Sequence, residues 1–470
     1  MCKISFLSKQ LQLLLIIIIA AGILISSLHY AKELNMYHGE LDIYLPHYLE
    51  NKSVLKIVFD PICELDLSQK TFRGREVGNF FNFIDAKLLT YLFRIKMPAL
   101  ISMIYYVSVA IIIISVIFIC SKIYKNREVL TGLLLLLLLS SPPIVLGGFF
   151  YRTNKIIAAS AVVICIFILE LIKKKVLKSN DQIFFLPLLF FISLIACLSD
   201  EQGFILIAII SFWELFVLAK HKKNYNFKIS VFILFISVIF SICYKGFIGP
   251  EIFEKVMGIK VSTSNIGNLQ TLTNVNNFFS SFFLLIKYIS YVFGNLNPLI
   301  TSFFGLILIT KLYLKSYSEK FLHVVYILLM LTAVIHIMTL MHPAILWTES
   351  ITYYSLPIIC LIFAYSFIGL QNNIRLFGKE YLPYYFLMVL IVLNIFSWNK
   401  SFDKIANGHI KPFRVADKII SAVYDSEDQT KKTLAEISLK TASPGYIPEF
   451  KFGENGISAL KQSLPIKKER

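Results

Sequence analysis

Seven cysteines in 470 residues form neither a disulfide framework nor a metal-thiolate spacing. Cys120, Cys165, Cys197, Cys243 and Cys360 lie in or at the ends of apolar runs, Cys2 is terminal, and Cys63 stands alone in a polar stretch. Charge is scarce: 16% of residues are Asp, Glu, Lys or Arg against 57% hydrophobic, with a mean hydropathy of +0.70, which excludes a water-soluble fold of this length. Acid is the scarcer sign, 29 residues against 46 basic ones, for a net charge of +17. Much of that excess sits in short connectors beside apolar runs, where it sets membrane orientation rather than reading a duplex, so no nucleic-acid partner is expected. There is no internal repeat of the kind that marks paired-half transporters. The first apolar run follows Lys3 and Lys9 but lacks a convincing small-residue cleavage site, and it reads as a retained anchor.

What the chain has in abundance is apolar runs of roughly the 20 residues a bilayer crossing needs. Helices are expected near 11–28, 98–120, 130–148, 156–172, 183–198, 204–219, 229–245, 278–314, 322–341, 352–370 and 381–397. The fold class is therefore an all-α polytopic membrane protein of about eleven transmembrane helices. Ser140, Ser141, Pro142 and Pro143 should kink the third helix, because proline removes backbone donors. Basic residues fall in every second connector: Lys122, Lys125 and Arg127; Lys173, Lys174, Lys175 and Lys178; Lys220, Lys222, Lys223 and Lys228; Lys311, Lys315 and Lys320; Arg375 and Lys379. The positive-inside bias makes these connectors cytoplasmic, with the amino terminus inside. The loops 29–97 and 246–277 and the tail 398–470 then lie outside, and 1–397 forms the membrane domain. Gly294, Asn295, Asn297 and Pro298 interrupt 278–314, which reads as one crossing preceded by an interfacial or re-entrant piece, since two crossings would put the Lys311–Lys320 cluster outside.

Chemistry is concentrated in the outside segments. In Tyr-His-Gly-Glu-Leu-Asp-Ile-Tyr, extended alternation places Glu40 and Asp42 on one side with His38 in register, a constellation suited to a general base. Desolvation at a membrane surface raises the proton affinity of such carboxylates. The alternative is a solvated loop of scattered charges. His38, Asp42 and His47 could hold a divalent cation, but their spacing is not diagnostic, and no metal site is assigned. Arg73-Gly74-Arg75 can fork onto a phosphate while the glycine admits close backbone approach; alternatively these arginines pair with Glu76 and Asp85. The turns around Arg152 and Lys155 and around Asp200 and Glu201 are too short to leave the membrane surface and must border any central cavity, either as ligands or as helix-end pairs. His342, Trp347, Glu349, Tyr353 and Tyr354 suit a sugar-binding rim or an interfacial anchor belt. Glu170 and Glu214 lie toward the cytoplasmic ends of their helices and are read as structural partners of Lys173 and Lys220.

An amino-terminal anchor, a large outside first loop with Glu40 and Asp42 just past it, about ten further helices, a re-entrant element near 278–298 and an outside tail ending in Lys467-Lys468 resemble the GT-C class of polytopic glycosyltransferases. Within that class the chain looks most like the serotype-converting O-antigen glucosyltransferases of bacterial glucosylation cassettes. It departs from the pattern in having Glu40-Leu41-Asp42 where an Asp-x-Asp pair would stand. The resemblance implies transfer of a hexose, glucose above all, from undecaprenyl-phosphate sugar to a hydroxyl of a lipid-linked O-antigen or related lipopolysaccharide glycan. This would occur on the periplasmic face of the bacterial inner membrane, with a flippase and a donor synthase as partners. On that reading Glu40 or Asp42 is the base. Arg73, Arg75, Arg152 and Lys155 hold the donor phosphate, and His38, Asp200, Glu201, Trp347 and Glu349 contact acceptor or sugar. The rival readings are an O-antigen polymerase or ligase, a polysaccharide flippase or secondary transporter, and a membrane scaffold.

Overall fold

A computed structural model describes residues 18, 22, 53–59, 65–66, 71–93, 103–123, 128–140, 144, 153–173, 179–220, 225–261, 263–264, 283, 385, 387–389 and 391–392. Expectations for 278–314, 322–341, 352–370 and the tail 398–470, and nearly all of those for 11–28 and 381–397, lie outside the described residues. Within them the chain is helical apart from three two-residue strands.

Helices α1 (Val54–Val58) and α2 (Glu76–Phe93) belong to the first loop, with strands β1 (Leu65–Asp66) and β2 (Thr71–Phe72) between them. The apolar runs then form α3 (Met103–Ile123), α4 (Glu128–Leu139), α5 (Thr153–Lys173), α6 (Ser179–Ser199), α7 (Glu201–Lys220) and α8 (Tyr225–Cys243). These are the helices expected from hydropathy, but α5 to α8 each begin three or four residues earlier than the apolar runs do. The added first turns carry Thr153, Asn154, Lys155 and Glu201, polar groups that hydropathy assigns to loops and that tertiary partners draw into the helix. The third apolar run ends its helix at Leu139, and Ser140 accepts the turn by donating its hydroxyl to the Leu137 carbonyl.

Two of the described helical stretches, Thr153–Lys173 and Tyr225–Met257, are long and apolar enough to cross a membrane. They play different parts. Helix α5 is sheathed by α3, α6, α7 and α2, and it runs through the centre of the main core. Helix α8 shows Phe232, Ile239 and Phe240 outward, as α6 shows Phe184 and Phe191, the surface that lipid rather than water would cover. Serines inside these helices return their hydroxyls to the preceding turn, as Ser211 does to Ile207, Ser237 to Ile233 and Ser241 to Ser237. Ser193 also donates to Ser237 across α6 and α8 at 2.6 Å, so no hydroxyl of this group is stranded in the apolar interior.

Helix α8 does not stop at its expected end. A π-helical turn, Tyr244–Ile248, passes it into amphipathic α9 (Gly249–Met257), which has Pro250 in its first turn and is capped by left-handed Gly258. Phe253 of α9 packs on Phe72 and Phe59 in a second, small core built from the first loop and the segment after α8. Gly249 permits this, since a Cβ there would lie 2.4 Å from the Phe72 ring. Strand β3 (Thr263–Ser264) pairs in parallel with β2, which is antiparallel to β1, so loop one and the segment after α8 fold together as one cap.

Candidate functional site: a buried charged cluster beneath the cap

The cap meets the bundle where α5 and α7 begin and α6 and α8 end. Arg75, just before α2, donates from Nε to both oxygens of Glu201 at 2.9 and 2.8 Å, and its Nη2 lies 2.6 Å from Oε2. The first turn of α5 lies beside it. Lys155 pairs with Asp200 at 2.8 Å, with the side chains 3% and 0% exposed, and Asn154 donates to the same Oδ2 at 3.0 Å. The other Asp200 oxygen accepts the Gln202 backbone N–H at 3.0 Å and so caps α7. Helix α2 is tied in by Thr153, whose hydroxyl donates to Asn82, and by Asn79, which donates to the Val58 carbonyl of α1. From the π turn, Tyr244 donates its hydroxyl to Glu76 at 3.0 Å.

Electrostatics divide these carboxyls. Burial would raise the Glu201 carboxyl, but the charge and hydrogen bonds of Arg75, with Lys245 and Arg73 nearby, hold it well below the usual carboxylate range. Burial wins at Glu76 and pushes its carboxyl up from 4.5, against its backbone hydrogen bond, Tyr244 and Lys245. The cluster also keeps polar atoms without hydrogen-bond partners among the described residues: Glu76 Oε2, Asn154 Oδ1, both polar atoms of the Gln202 side chain, and Lys245 Nζ.

Four residues singled out from the sequence therefore come together, Arg75, Lys155, Asp200 and Glu201, with Arg73 close enough to act on Glu201. Their arrangement is specific: Arg75 reaches a residue 126 positions away rather than its neighbour Glu76. Two of the expected phosphate-binding cations, Arg75 and Lys155, spend their charge on Glu201 and Asp200, which the sequence reading had assigned to acceptor or sugar. His38, Glu40, Asp42, Arg152, Trp347 and Glu349 lie outside the described residues. Sequence reasoning missed Tyr244 and Lys245, and treated Glu76 only as a pairing partner. The available signal was an ammonium directly after an apolar run, on the side where connectors are poor in lysine. Among the described residues no three His, Cys, Asp or Glu side chains gather as a metal would require.

At the far ends of the same helices, Lys173 closes on Glu170 at 3.3 Å and on Glu214 at 3.6 Å, with its ammonium 5.6 Å from the centre of the Phe227 ring. Lys155 and Lys173 are 18 residues apart on α5, so this second charged group lies about 27 Å from the first along the helix, near a hydrocarbon thickness. The pairing of Glu170 and Glu214 with Lys173 agrees with their structural reading; the Lys220 side chain lies outside the described residues. In three comparisons with known proteins, no family model, curated protein or solved structure matches this chain.

Proposed function

We propose that this chain is a polytopic inner-membrane glycosyltransferase of GT-C type with about eleven crossings. It transfers a hexose from undecaprenyl-phosphate sugar to a hydroxyl of O-antigen or a related envelope glycan on the periplasmic face. The observation that carries the reading is the convergence of Arg73, Arg75, Lys155, Asp200 and Glu201, from a large first loop and two short turns, at one end of an apolar bundle. A lipid-phosphate donor presents its reacting bond at that depth, with its tail in hydrocarbon and its sugar in water. Charge gathered there, in a low dielectric, acts strongly on a developing phosphate leaving group. Lysine-rich connectors at the opposite end support an outward-facing site, by the positive-inside bias.

In this mechanism Glu40 or Asp42 takes the proton of the acceptor hydroxyl as that oxygen attacks the anomeric carbon, and the bond to the lipid phosphate breaks. The ion pairs Arg75–Glu201 and Lys155–Asp200 organise the floor beneath the cap. The test is the glycan composition and linkage of envelope polysaccharide from cells expressing wild type, the Glu40→Ala, Asp42→Ala double variant, or neither. A side-branch hexose is expected with wild type alone. Polysaccharide identical in all three would sink the transferase and favour transport instead.

A further inference from the structure

Two uncharged side chains beneath the cap are buried with hydrogen-bonding capacity unused. Gln202, 2% exposed, engages neither its amide oxygen nor its amide nitrogen among the described residues, and Asn154, 4% exposed, leaves its Oδ1 without a partner. An amide atom left unpaired in an interior is costly, so these three atoms call for an explanation. Both residues lie in first helical turns and flank a single carboxylate. Asn154 of α5 donates from Nδ2 to Asp200 Oδ2 at 3.0 Å, and the Gln202 backbone N–H of α7 donates to Asp200 Oδ1 at 3.0 Å. The cap of α7 uses that backbone N–H alone, so the Gln202 side chain is not what holds the helix end.

Two glycines fix the walls around them. A Cβ at Gly203 would strike the Ala196 carbonyl of α6 and touch Ala158 of α5, so α7 begins wedged against both neighbours. On the cap side, a Cβ at Gly78 of α2 would lie 2.8 Å from the Asn154 Cβ and 2.8 Å from the Ser199 carbonyl oxygen. The first loop therefore rests directly on the turn that carries Asn154, and a ligand reaches the amides as α2 lifts. The carboxylates beside them are taken, Glu201 by Arg75 and Asp200 by Lys155. What the two amides offer is neutral: one nitrogen that donates and two oxygens that accept. Hydroxyls, which donate and accept at once, complement that set. A phosphate, which only accepts, would face two oxygens for one nitrogen.

We propose that the side-chain amides of Gln202 and Asn154 bind hydroxyl groups of a hexose beneath α2. This deepens the transferase reading and rests on it for the identity of that hexose as part of the donor or of the acceptor glycan. It also moves the sugar contact from Asp200 and Glu201, whose oxygens are engaged within the protein, to their uncharged neighbours.

Gln202→Met keeps the backbone cap and the length of the side chain while deleting the unpaired amide. In the full-length protein purified in detergent, its unfolding midpoint without ligand is expected to equal or exceed that of wild type, because a buried amide without partners is lost. Binding is read by native mass spectrometry with three probes: a polyprenyl-phosphate glucose, the same polyprenyl phosphate without sugar, and a free oligosaccharide of one O-antigen repeat. Wild type is expected to prefer the glucose lipid over the bare lipid if the hexose is the donor's, and to bind the oligosaccharide if it is the acceptor's. Gln202→Met is expected to weaken that sugar-dependent binding about tenfold, and exposed Lys255→Met to leave it unchanged. Should Gln202→Met aggregate, the smaller Gln202→Ala takes its place, and failure of both to fold overturns the proposal by making the amide structural. A folded variant that binds sugar as wild type does overturns it too, as does a wild type indifferent to sugar in every probe. A protein that binds sugar through Gln202 but transfers no hexose removes the transferase reading alone; a transferring protein whose sugar binding ignores Gln202 removes this site alone.

Discussion

The two ends of the bundle solve the problem of charge beside hydrocarbon differently. At one, Lys173, 23% exposed, sits between buried Glu170 of its own helix and buried Glu214 of α7, near the Phe227 ring. Two of these three residues are a single turn apart, and the third lies on a packed neighbour. At the other end the charges come from loop one, the start of α5, the α6–α7 junction and the π turn after α8, and they are folded under a cap. The first arrangement ties adjacent helices together near a surface. The second assembles groups far apart in sequence, buries them, and leaves hydrogen-bonding capacity at Glu76, Gln202 and Lys245. Proteins retain such costly polar groups where a ligand or reaction uses them, which is why the capped end is the candidate site; at the other end, among the described residues, Glu214 Oε2 alone lacks a hydrogen bond, 3.6 Å from Lys173.

That contrast can be broken by substitution. The largest effect is expected at Lys155→Met, which strands Asp200 without its ammonium in a fully buried position and should cost about 3–5 kcal/mol. Adding Asp200→Asn should return much of the loss. Thermal unfolding of the two variants in detergent tests this, and equal losses in the single and double variants would show the pair to be uncoupled.

Acid gives a smaller effect with a definite sign. The carboxyl of Glu201 is held below its ordinary 4.5 in the folded protein, so its ion pair contributes fully above that pH, and the contribution declines as pH falls below 4.5 toward the folded value. Unfolding midpoints measured down that range should fall more steeply in wild type than in Glu201→Gln. Parallel curves would mean that Arg75 contributes no net stabilisation through this carboxylate. Lys173→Met is expected to cost less than Lys155→Met, about 1–3 kcal/mol, because the Lys173 side chain is 23% exposed where that of Lys155 is 3%. A loss matching that of Lys155→Met in the same melts would erase the distinction between the ends.

Helix count and placement along 98–245 were legible in the sequence because the rule that sets them is local: a run of apolar residues near bilayer length has no stable alternative to a helix. The same locality made Glu170 and Glu214 readable as partners of a nearby lysine. It also let the short turns at Lys155 and Asp200–Glu201 be assigned to one surface with Arg73 and Arg75, because alternate connectors of a spanning bundle must share a side. Helix α2 was harder to foresee, since its Asn-Phe-Phe-Asn-Phe-Ile pattern has little apolar contrast to mark it as an element on its own.

Sequence by itself determined which of the described segments are apolar and helical, since that follows from transfer energies that act residue by residue. Only the tertiary structure decided that Arg75 takes Glu201 rather than Glu76, that Phe72 and Phe253 close a cap, and that Lys245 lies across Gly74. Each of those outcomes compares partners more than 100 residues apart, and the winner is set by geometry and burial, which no local pattern carries.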